Sequence, residues 1–250
     1  MLYILLPVHN RKKITQKFIQ CLESQTCQDF QLILIDDGSV DDTDKMVLNH
    51  FPNTRVIRGD GNLWWAGALQ KGYEYIQNQR IKENDVVLLI NDDTEFKDDF
   101  LEKALNVLQN SRKMLLKAWS VDKCTKIRGD GYIFADIRKM RFYNTNNQTL
   151  ANCASTRGLF MKAKDFIDIG GFMPNKLPHY LSDYEFTIRA CNKSYKIYCD
   201  DGLELISDSN ESGYHIINYR TFGEFIGKFF SIKCPVNPKY LINFVQLMSN

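Results

Sequence analysis

The sequence predicts an α/β fold with a mixed, mainly parallel sheet flanked by helices. In about the first 110 residues, apolar runs of strand length alternate with segments whose apolar residues recur at helical spacing. The apolar runs are continuous instead of alternating, which is typical of strands covered on both faces. From residue 112 onward the segments become shorter strands, which predicts a mixed or antiparallel extension of the sheet. Parallel strands need crossover connections, so helices are expected on both faces.

The predicted elements follow in a regular order. The first strand is the apolar run at 3–8, and the first helix covers 14–25, where Ile14, Phe18 and Leu22 recur at helical spacing. The next elements are a strand at 30–39, a helix at 41–51, a strand at 54–59, a helix at 64–79, a strand at 85–90 and a helix at 98–109. The second half has short strands within 113–121, 131–137, 141–144 and 153–162, a helix at 182–194, a strand at 195–200 and an amphipathic helix at 219–233.

Composition narrows the class of protein. A net charge of +2 gives no indication of a nucleic-acid partner, and no apolar stretch is long enough to cross a bilayer. Seven cysteines without a Cys-x-x-Cys spacing disfavour a disulfide framework or a zinc site and favour reduced thiols. No secretory leader is evident at the start of the chain. We therefore expect a cytoplasmic globular protein.

Polar residues follow three of the predicted parallel strands at the point where each strand ends. These tips are the segments 7–10, 36–39 and 91–94. In open α/β sheets ligands bind beyond the carboxyl ends of the strands, so the three tips should line one binding rim. The alternative is that their Asp, Asn, Gly and Ser residues only make turns and helix caps. Adjacent acids are not what turns require, and two of the three tips contain them.

The pair Asp92 and Asp93 is the most informative of these tips. Two neighbouring carboxylates repel each other at the end of a buried strand, unless a divalent cation offsets their charge. Mg²⁺ and Mn²⁺ prefer oxygen ligands and often bridge carboxylates to phosphates. The chain contains no P-loop, and the segment 59–67 has Trp64 where a dinucleotide fingerprint needs its third glycine. Phosphate binding through a metal is what the sequence predicts, with Asp37 near a base or ribose.

At this point the sequence resembles a known family. The segment 5–43, LLPVHNRKKITQKFIQCLESQTCQDFQLILIDDGSVDDT, is similar to the opening of inverting family 2 glycosyltransferases with the GT-A fold. LINDDTEF at 89–96 looks like their metal-binding Asp-x-Asp-type motif, with Asn91 in place of the first acid. Segments 157–172 and 181–190 resemble the acceptor-side strand and helix of the family. The resemblance covers most of the chain and implies a Rossmann-like nucleotide-diphospho-sugar transferase fold.

The resemblance implies a role for each matching residue. The nucleobase pocket would be lined by Pro7, Val8, His9 and Asn10. Asp37 would bind the base, Asp93 would ligate the metal, and Asp92 would lie near the ribose or the metal. Asp183 would be the general base, although Glu185 is chemically competent for the same task. Both acids also suit the first turn of a helix for electrostatic reasons alone.

Four further residues are weaker candidates. Trp65 can stack on the donor or belong to the core, and Arg157 can pair with a diphosphate or with a nearby carboxylate. His179 precedes the candidate base by about one helical turn and can contact an acceptor. His215 is a candidate third metal ligand, although a lone histidine is more often structural or exposed.

The expected function is transfer of a hexosyl or rhamnosyl group from a nucleotide-diphosphate sugar to a glycan or lipid-linked acceptor, by inverting single displacement with Mn²⁺ or Mg²⁺. The resemblance suggests bacterial surface-polysaccharide assembly as the setting. A sugar-phosphate nucleotidyltransferase is the nearest alternative enzyme, although it usually opens with a glycine-rich loop that is absent here. The alternative from another class is a non-catalytic nucleotide- or carbohydrate-binding module.

We predict one GT-A catalytic domain at 1–217 followed by a helical tail at 218–250. Within the domain, 1–110 would bind the nucleotide-sugar and 111–217 the acceptor. The tail helix at 219–233 carries phenylalanines on one face and basic residues elsewhere. It would pack on the domain or lie at the inner face of the plasma membrane.

Overall fold

The computed structural model of the protein describes residues 1–207 and 221–249, apart from the side chains of Phe222 and Phe225. The strands are β1 Leu2–Val8, β2 Phe30–Asp36, β3 Arg55–Arg58, β4 Val86–Leu89, β5 Thr94–Phe96, β6 Met114–Asp122, β7 Arg128–Gly129, β8 Ile133–Asp136, β9 Arg141–Asn144, β10 Leu159–Lys162 and β11 Lys196–Ser207. The helices are α1 Lys12–Glu23, α2 Thr43–His50, α3 Trp64–Gln77, α4 Phe100–Leu108, α5 Ala163–Ile169, α6 Ser182–Asn192, α7 Phe222–Phe229 and α8 Pro238–Met248.

The main sheet is mixed and mainly parallel on its N-terminal side, as predicted. Its strand order is β3-β2-β1-β4-β10-β6-β11-β5, and β7 pairs with β6. The pairs β1–β2, β1–β4, β2–β3 and β6–β11 are parallel. Strand β10 lies antiparallel between β4 and β6 and thereby joins the first half of the chain to the second. Strands β8 and β9 form a separate hairpin.

The continuous apolar strands are buried on both faces. Along β1, Leu2, Ile4 and Leu6 pack into one core cluster, while the intervening Leu5 packs into the other. The first cluster lies beneath α1, α2 and α4, and the second beneath α3, α5 and α6. This double coverage explains why the sequence shows unbroken apolar runs.

Two elements differ from the pattern predicted by periodicity. Strand β5 was not predicted, because three residues are too few to show a period of two. It pairs antiparallel with β11, which continues to Ser207, beyond the predicted end at residue 200. The pairing buries Thr94 and Phe96. Asp92 and Asp93 therefore lie in a short turn between two strands of the same sheet, which restricts where their side chains can point.

Helix α8 was also not predicted, and it packs on the body of the protein. Asn237 caps its first turn by accepting a hydrogen bond from the Lys239 amide at 3.0 Å, and Pro238 occupies the first helical position. Phe244 is fully buried against a cluster that includes Ile188 of α6. The predicted domain boundary at 217/218 lies outside the described residues and stays a prediction.

No helix among the described residues is both long enough and apolar enough to span a bilayer. All seven cysteines are free thiols, and Cys153, Cys199 and Cys234 are buried.

Candidate functional site

A cavity of about 680 Å³ opens beyond the carboxyl ends of β1, β2 and β4. The register of these strands aligns Val8 with Asp36 and Leu5 with Leu89, which brings their ends to one edge. The cavity is lined by the predicted site residues Pro7, Val8, His9, Asp37, Trp65, Asp92, Asp93, Arg157, His179 and Asp183. Asn10 and Glu185 lie outside it, and His215 lies outside the described residues.

The Asp37 carboxylate organises the loop that leads into α3. Its Oδ1 accepts the Gly61 amide at 2.8 Å, and its Oδ2 accepts the amides of Leu63 and Trp64 at 3.0 and 3.1 Å. A Cβ at position 59 would lie 2.4 Å from Asp37 Oδ1, so glycine is required there. A carboxylate offers about four acceptor sites, and these bonds use three. Because Asp37 also lines the cavity, one acceptor site remains for a ligand donor.

His9 and Asn10 brace the tips of β1 and β2. His9 Nδ1 donates to the Asp37 carbonyl at 2.5 Å, and His9 Nε2 lies 3.1 Å from Asn10 Nδ2. The Asn10 amide donates to Ser39 Oγ, and Asn10 Oδ1 accepts the Val40 amide, at 2.9 and 2.8 Å. Asn10 therefore holds the loop after β2 and does not line the cavity itself.

The acid pair after β4 is held by one arginine. Arg11 Nη1 lies 3.2 Å from Asp92 Oδ1, and Arg11 Nη2 lies 3.3 Å from Asp93 Oδ2. Thr15 Oγ1 donates to Asp92 Oδ2 at 2.8 Å. Both oxygens of Asp92 are thus engaged, whereas Asp93 Oδ1 is buried and has no hydrogen-bond partner among the described residues. A buried carboxylate oxygen without a donor is costly unless a ligand completes it.

These donors fit a hard divalent cation. The pKa of Asp92 is raised to about 6, mainly by burial and in part by the neighbouring Asp93, while Arg11 and Thr15 act in the opposite direction. A cation beside the pair would favour the ionised forms. In the described part of the chain, no three His, Cys, Asp or Glu side chains converge as a metal cage. Such an ion would therefore take most of its ligands from water and from bound phosphates, as Mg²⁺ commonly does.

Asp183 also lines the cavity, and it lies in the first turn of α6. Leu181, which precedes the helix, has a φ of 67°, and Asp183 Oδ1 accepts the Tyr184 amide at 3.0 Å. The pKa of Asp183 is raised to about 6, mainly by burial and in part by the nearby charge of Asp130. The Tyr184 amide and Arg157 act in the opposite direction. A carboxylate poised near neutrality is suited to accept a proton.

Asp130 and Lys117 were missed by the sequence analysis. Lys117 is fully buried in β6, and its Nζ donates to the carbonyls of Ala118 and Arg157 at 2.7 and 2.8 Å. The same Nζ lies 3.5 Å from Asp130 Oδ2, which also accepts a bond from Ser155 Oγ at 2.7 Å. A lysine inside the apolar run MLLKAWSV was the available signal, because a buried ammonium needs a partner.

Glu185 has a structural partner away from the cavity. Its carboxylate is buried and forms a two-point salt bridge with Arg189, at 2.7 Å to Nε and 3.0 Å to Nη2. Arg189 also donates to the carbonyls of Ile169 and Gly171, at 2.5 and 2.7 Å. The pair ties α6 to the end of α5, so Glu185 is not among the residues that we propose for acceptor chemistry.

Aromatic side chains close one side of the cavity. The rings of Trp64 and His179 are 5.8 Å apart, and the rings of His179 and Tyr180 are 4.5 Å apart. Burial, assisted by the charge of Lys233, lowers the pKa of His179 to about 4, so this ring is neutral at pH 7. Trp65 Nε1 donates to Thr156 Oγ1 at 3.1 Å. The aromatic rings on this side of the cavity are therefore uncharged at pH 7.

The raised pKa of Asp183 predicts a change in stability with pH. The folded protein binds the Asp183 proton more tightly than the unfolded chain does, because the pKa is about 6 in the folded state and 3.8 in an exposed carboxyl group. The free energy of unfolding therefore decreases as the pH rises from about 4 to 6. Asp183→Asn removes this dependence. Because the side chain is only partly buried, we expect the variant to gain about 1–2 kcal/mol over wild type at pH 8. Urea unfolding at pH 5 and pH 8 without metal tests this, and an equal gain at both values would contradict it.

The architecture defines a class of protein, namely α/β proteins with the GT-A fold. GalNAc-T7, crystallised with UDP, GalNAc and Mn²⁺, matches with a TM-score of 0.72 at 12% identity, over 100% of this chain and 47% of that one. S. aureus TarS matches with a TM-score of 0.60 at 15% identity, over 83% of this chain and 36% of TarS. The mannosyltransferase PcManGT from Pyrobaculum calidifontis, in complex with GDP-Man and Mn²⁺, matches with a TM-score of 0.56 at 12% identity. This match covers 98% of this chain and 69% of PcManGT.

Sequence comparison places the chain within that class. The family model described as Glycosyl transferase family 2 matches residues 3–166. A curated protein of Haemophilus influenzae, described as an uncharacterized glycosyltransferase, is 27% identical over 191 residues. That match covers 76% of this chain and 61% of the Haemophilus protein. The chain belongs to glycosyl transferase family 2.

Proposed function

We propose that the chain transfers a sugar from a nucleotide-diphosphate donor to a hydroxyl of a glycan or lipid-linked acceptor, with inversion at the anomeric carbon. The observation that carries this proposal is the pairing of two carboxylates in one cavity. Asp93 has a buried oxygen with no hydrogen-bond partner in the described part of the chain, and Asp183 has a pKa raised to about 6. Asp93 is suited to hold a cation beside the leaving group, and Asp183 is suited to act as a base beside the nucleophile.

On the donor side, Asp93 would hold Mn²⁺ or Mg²⁺ through Oδ1, with Asp92 beside it. When bound, the cation would neutralise charge on the departing nucleoside diphosphate. Arg11 fixes both carboxylates and offsets part of their charge. Asp37, with the cavity-lining tip at 7–9, would bind the nucleobase, and Trp65 would pack against the donor. GalNAc-T7 and PcManGT were both crystallised with Mn²⁺ and a nucleotide or nucleotide-sugar, which supports this assignment by analogy of fold.

On the acceptor side, Asp183 would accept the proton of the attacking hydroxyl. The hydroxyl oxygen forms its bond to the anomeric carbon as the bond from that carbon to the diphosphate oxygen breaks, and a single displacement of this kind inverts the centre. Arg157, whose Nε is buried and lacks a partner in the described part of the chain, would face the diphosphate. The donor-side residues lie within 1–110, and Asp130, Arg157 and Asp183 lie within 111–217, which supports the predicted halves.

Calorimetry on the full chain with UDP, GDP, ADP, CDP and dTDP, with and without Mn²⁺, tests the proposal. We expect one nucleotide to bind with Mn²⁺-dependent affinity, and the matching hexosyl or rhamnosyl donor to be hydrolysed slowly without an acceptor. Release of pyrophosphate from a nucleoside triphosphate and a sugar phosphate would instead show a nucleotidyltransferase. Mn²⁺-dependent binding without turnover on any donor or acceptor would show a binding module.

The tail is proposed to touch a membrane surface, which suits a lipid-linked acceptor and an enzyme of surface-polysaccharide assembly at the cytoplasmic face. Ile226 and Phe230 of the predicted segment 219–233 are 39% and 58% exposed, and Val236 and Ile242 nearby are also exposed. Such an apolar surface with lysines beside it is typical of peripheral attachment to anionic lipids. Co-sedimentation with vesicles of anionic lipid, compared with neutral vesicles, should show binding that Ile226→Ser with Phe230→Ser weakens. Equal sedimentation of variant and wild type would refute the contact.

A further inference from the structure

Lys233 brings a positive charge from the C-terminal tail to the cavity. It lies in the segment between α7 and α8, and its side chain is part of the cavity lining. Its Nζ is 5.8 Å from the centre of the Trp64 ring. The Trp64 ring is itself 5.8 Å from the ring of His179, and the charge of Lys233 contributes to the lowered pKa of His179. No pattern around residue 233 in the sequence marks this lysine as part of a site.

The segment that carries Lys233 is anchored in the fold. Cys234 and Asn237 are buried on either side of a turn in which the Cys234 amide donates to the Ser231 carbonyl at 3.1 Å. Asn237 Nδ2 donates to the same carbonyl at 3.0 Å. Helix α8 follows at once and is held by the buried Phe244 and by a bond from Asn243 Nδ2 to the Lys176 carbonyl at 2.8 Å. The position of Lys233 is thus set by packing.

Among the described residues, three cationic side chains line the cavity, and they differ in their partners. Arg11 is matched by the carboxylates of Asp92 and Asp93. Arg157 lies near Asp183, whose pKa it lowers. Within residues 1–207 and 221–249, Lys233 forms no ion pair with a carboxylate, and its neighbours are the indole of Trp64 and a neutral imidazole. A cation over an aromatic face in a cavity, with no carboxylate partner among the described residues, is suited to bind an anion.

We propose that Lys233 binds the diphosphate of the donor, so that the C-terminal tail forms part of the donor site. This inference rests on the proposed function, because the anion that it assigns is the donor's own leaving group. In the absence of a ligand the contact with Trp64 holds the ammonium in place. When donor is bound, the ammonium adds a charge-assisted hydrogen bond to a phosphate oxygen.

Calorimetry with Lys233→Gln tests the proposal on the full chain. The probes are the nucleoside diphosphate that wild type binds, the corresponding nucleoside without phosphate, and inorganic pyrophosphate, each with Mn²⁺ present. We expect the variant to lose about 10-fold or more in affinity for the two diphosphates and to bind the nucleoside unchanged. Lys233→Arg should recover part of the loss. Lys239→Gln is the matched control, since this lysine lies in the same tail outside the cavity lining, and it should bind all three probes as wild type does.

The outcomes separate the two proposals. If wild type binds no nucleoside diphosphate, the proposed function fails and this inference falls with it. If wild type binds and Lys233→Gln binds equally well, the proposed function stands and the inference is overturned. A similar loss of diphosphate affinity in Lys239→Gln would show that the effect depends only on the net charge of the protein. A loss of nucleoside affinity in Lys233→Gln would show that the substitution disturbs the structure of the site. Either of these results also overturns the inference.

Discussion

Asp93→Asn is expected to lose about 10³-fold in transfer rate and to bind the nucleoside diphosphate equally with and without Mn²⁺. The amide keeps the shape of the side chain but removes the charge. Oδ1 of Asp93 is the buried oxygen of the acid pair to which no described residue donates a hydrogen bond. Electrostatic stabilisation of a leaving group by a bound ion contributes several kcal/mol, which supports a loss of this size. Initial rates and calorimetry at several Mn²⁺ concentrations measure both effects.

The folded protein should tolerate this change. Asp92 keeps its bonds to Arg11 and Thr15, and removal of the neighbouring charge relieves one of the causes that raise the pKa of Asp92. Asp99→Asn is the matched control, because Asp99 lies six residues further along and pairs with Lys103 on the surface of α4. We expect the control to transfer sugar at the wild-type rate. Undiminished Mn²⁺ dependence in Asp93→Asn would remove Asp93 from the metal site.

Asp183→Asn is expected to lower the rate of transfer by about 10²–10⁴-fold while donor affinity stays unchanged. The side-chain oxygen of the asparagine can still accept the hydrogen bond from the Tyr184 backbone amide, so the turn is preserved. The asparagine cannot, however, take a proton from the acceptor hydroxyl. In wild type the rate should fall below about pH 6 at saturating Mn²⁺, because protonated Asp183 is inactive. The variant should lose this acid limb, and a pH series of rates with donor calorimetry checks both points.

Glu185→Gln provides the contrast to this variant. Breaking a buried ion pair by removing one charge typically costs about 3–5 kcal/mol, so this variant should unfold at a lower urea concentration. Its folded fraction should keep most of its activity, since Glu185 contacts Arg189 and does not line the cavity. If Glu185→Gln lost activity like a base variant while Asp183→Asn stayed active, the assignment of the two acids would be reversed.

The choice between Asp183 and Glu185 shows where sequence reasoning stops. Both acids lie in the first turn of α6, and both satisfy the electrostatic preference of a helix start. Residues two apart on an α-helix point about 200° away from each other, so only one of them faces any given cavity. Which face looks inward depends on how α6 packs against α5 and the sheet, and no local pattern contains that information.

Asp37 shows a different limit. The sequence indicated an acid at the end of a buried strand and predicted that it would bind a base. Its carboxylate also accepts three backbone amides from the loop before α3, a role that depends on Gly59 leaving room for it. The acid and the loop are separated by more than twenty residues of chain, so only the folded protein reveals this second role.

What the sequence determined is the layered sheet and the rim of acids at its edge. Burial on both faces requires unbroken apolar strands, and such strands leave their polar residues at the tips, so both features are visible in one dimension. The tertiary structure decided which side chain lies beside each charged group. Arg11 beside the acid pair, Lys117 beside Asp130 and Lys233 over Trp64 each join segments that are distant in the chain. Electrostatic interactions fall off with distance in space, and separation along the sequence does not predict that distance.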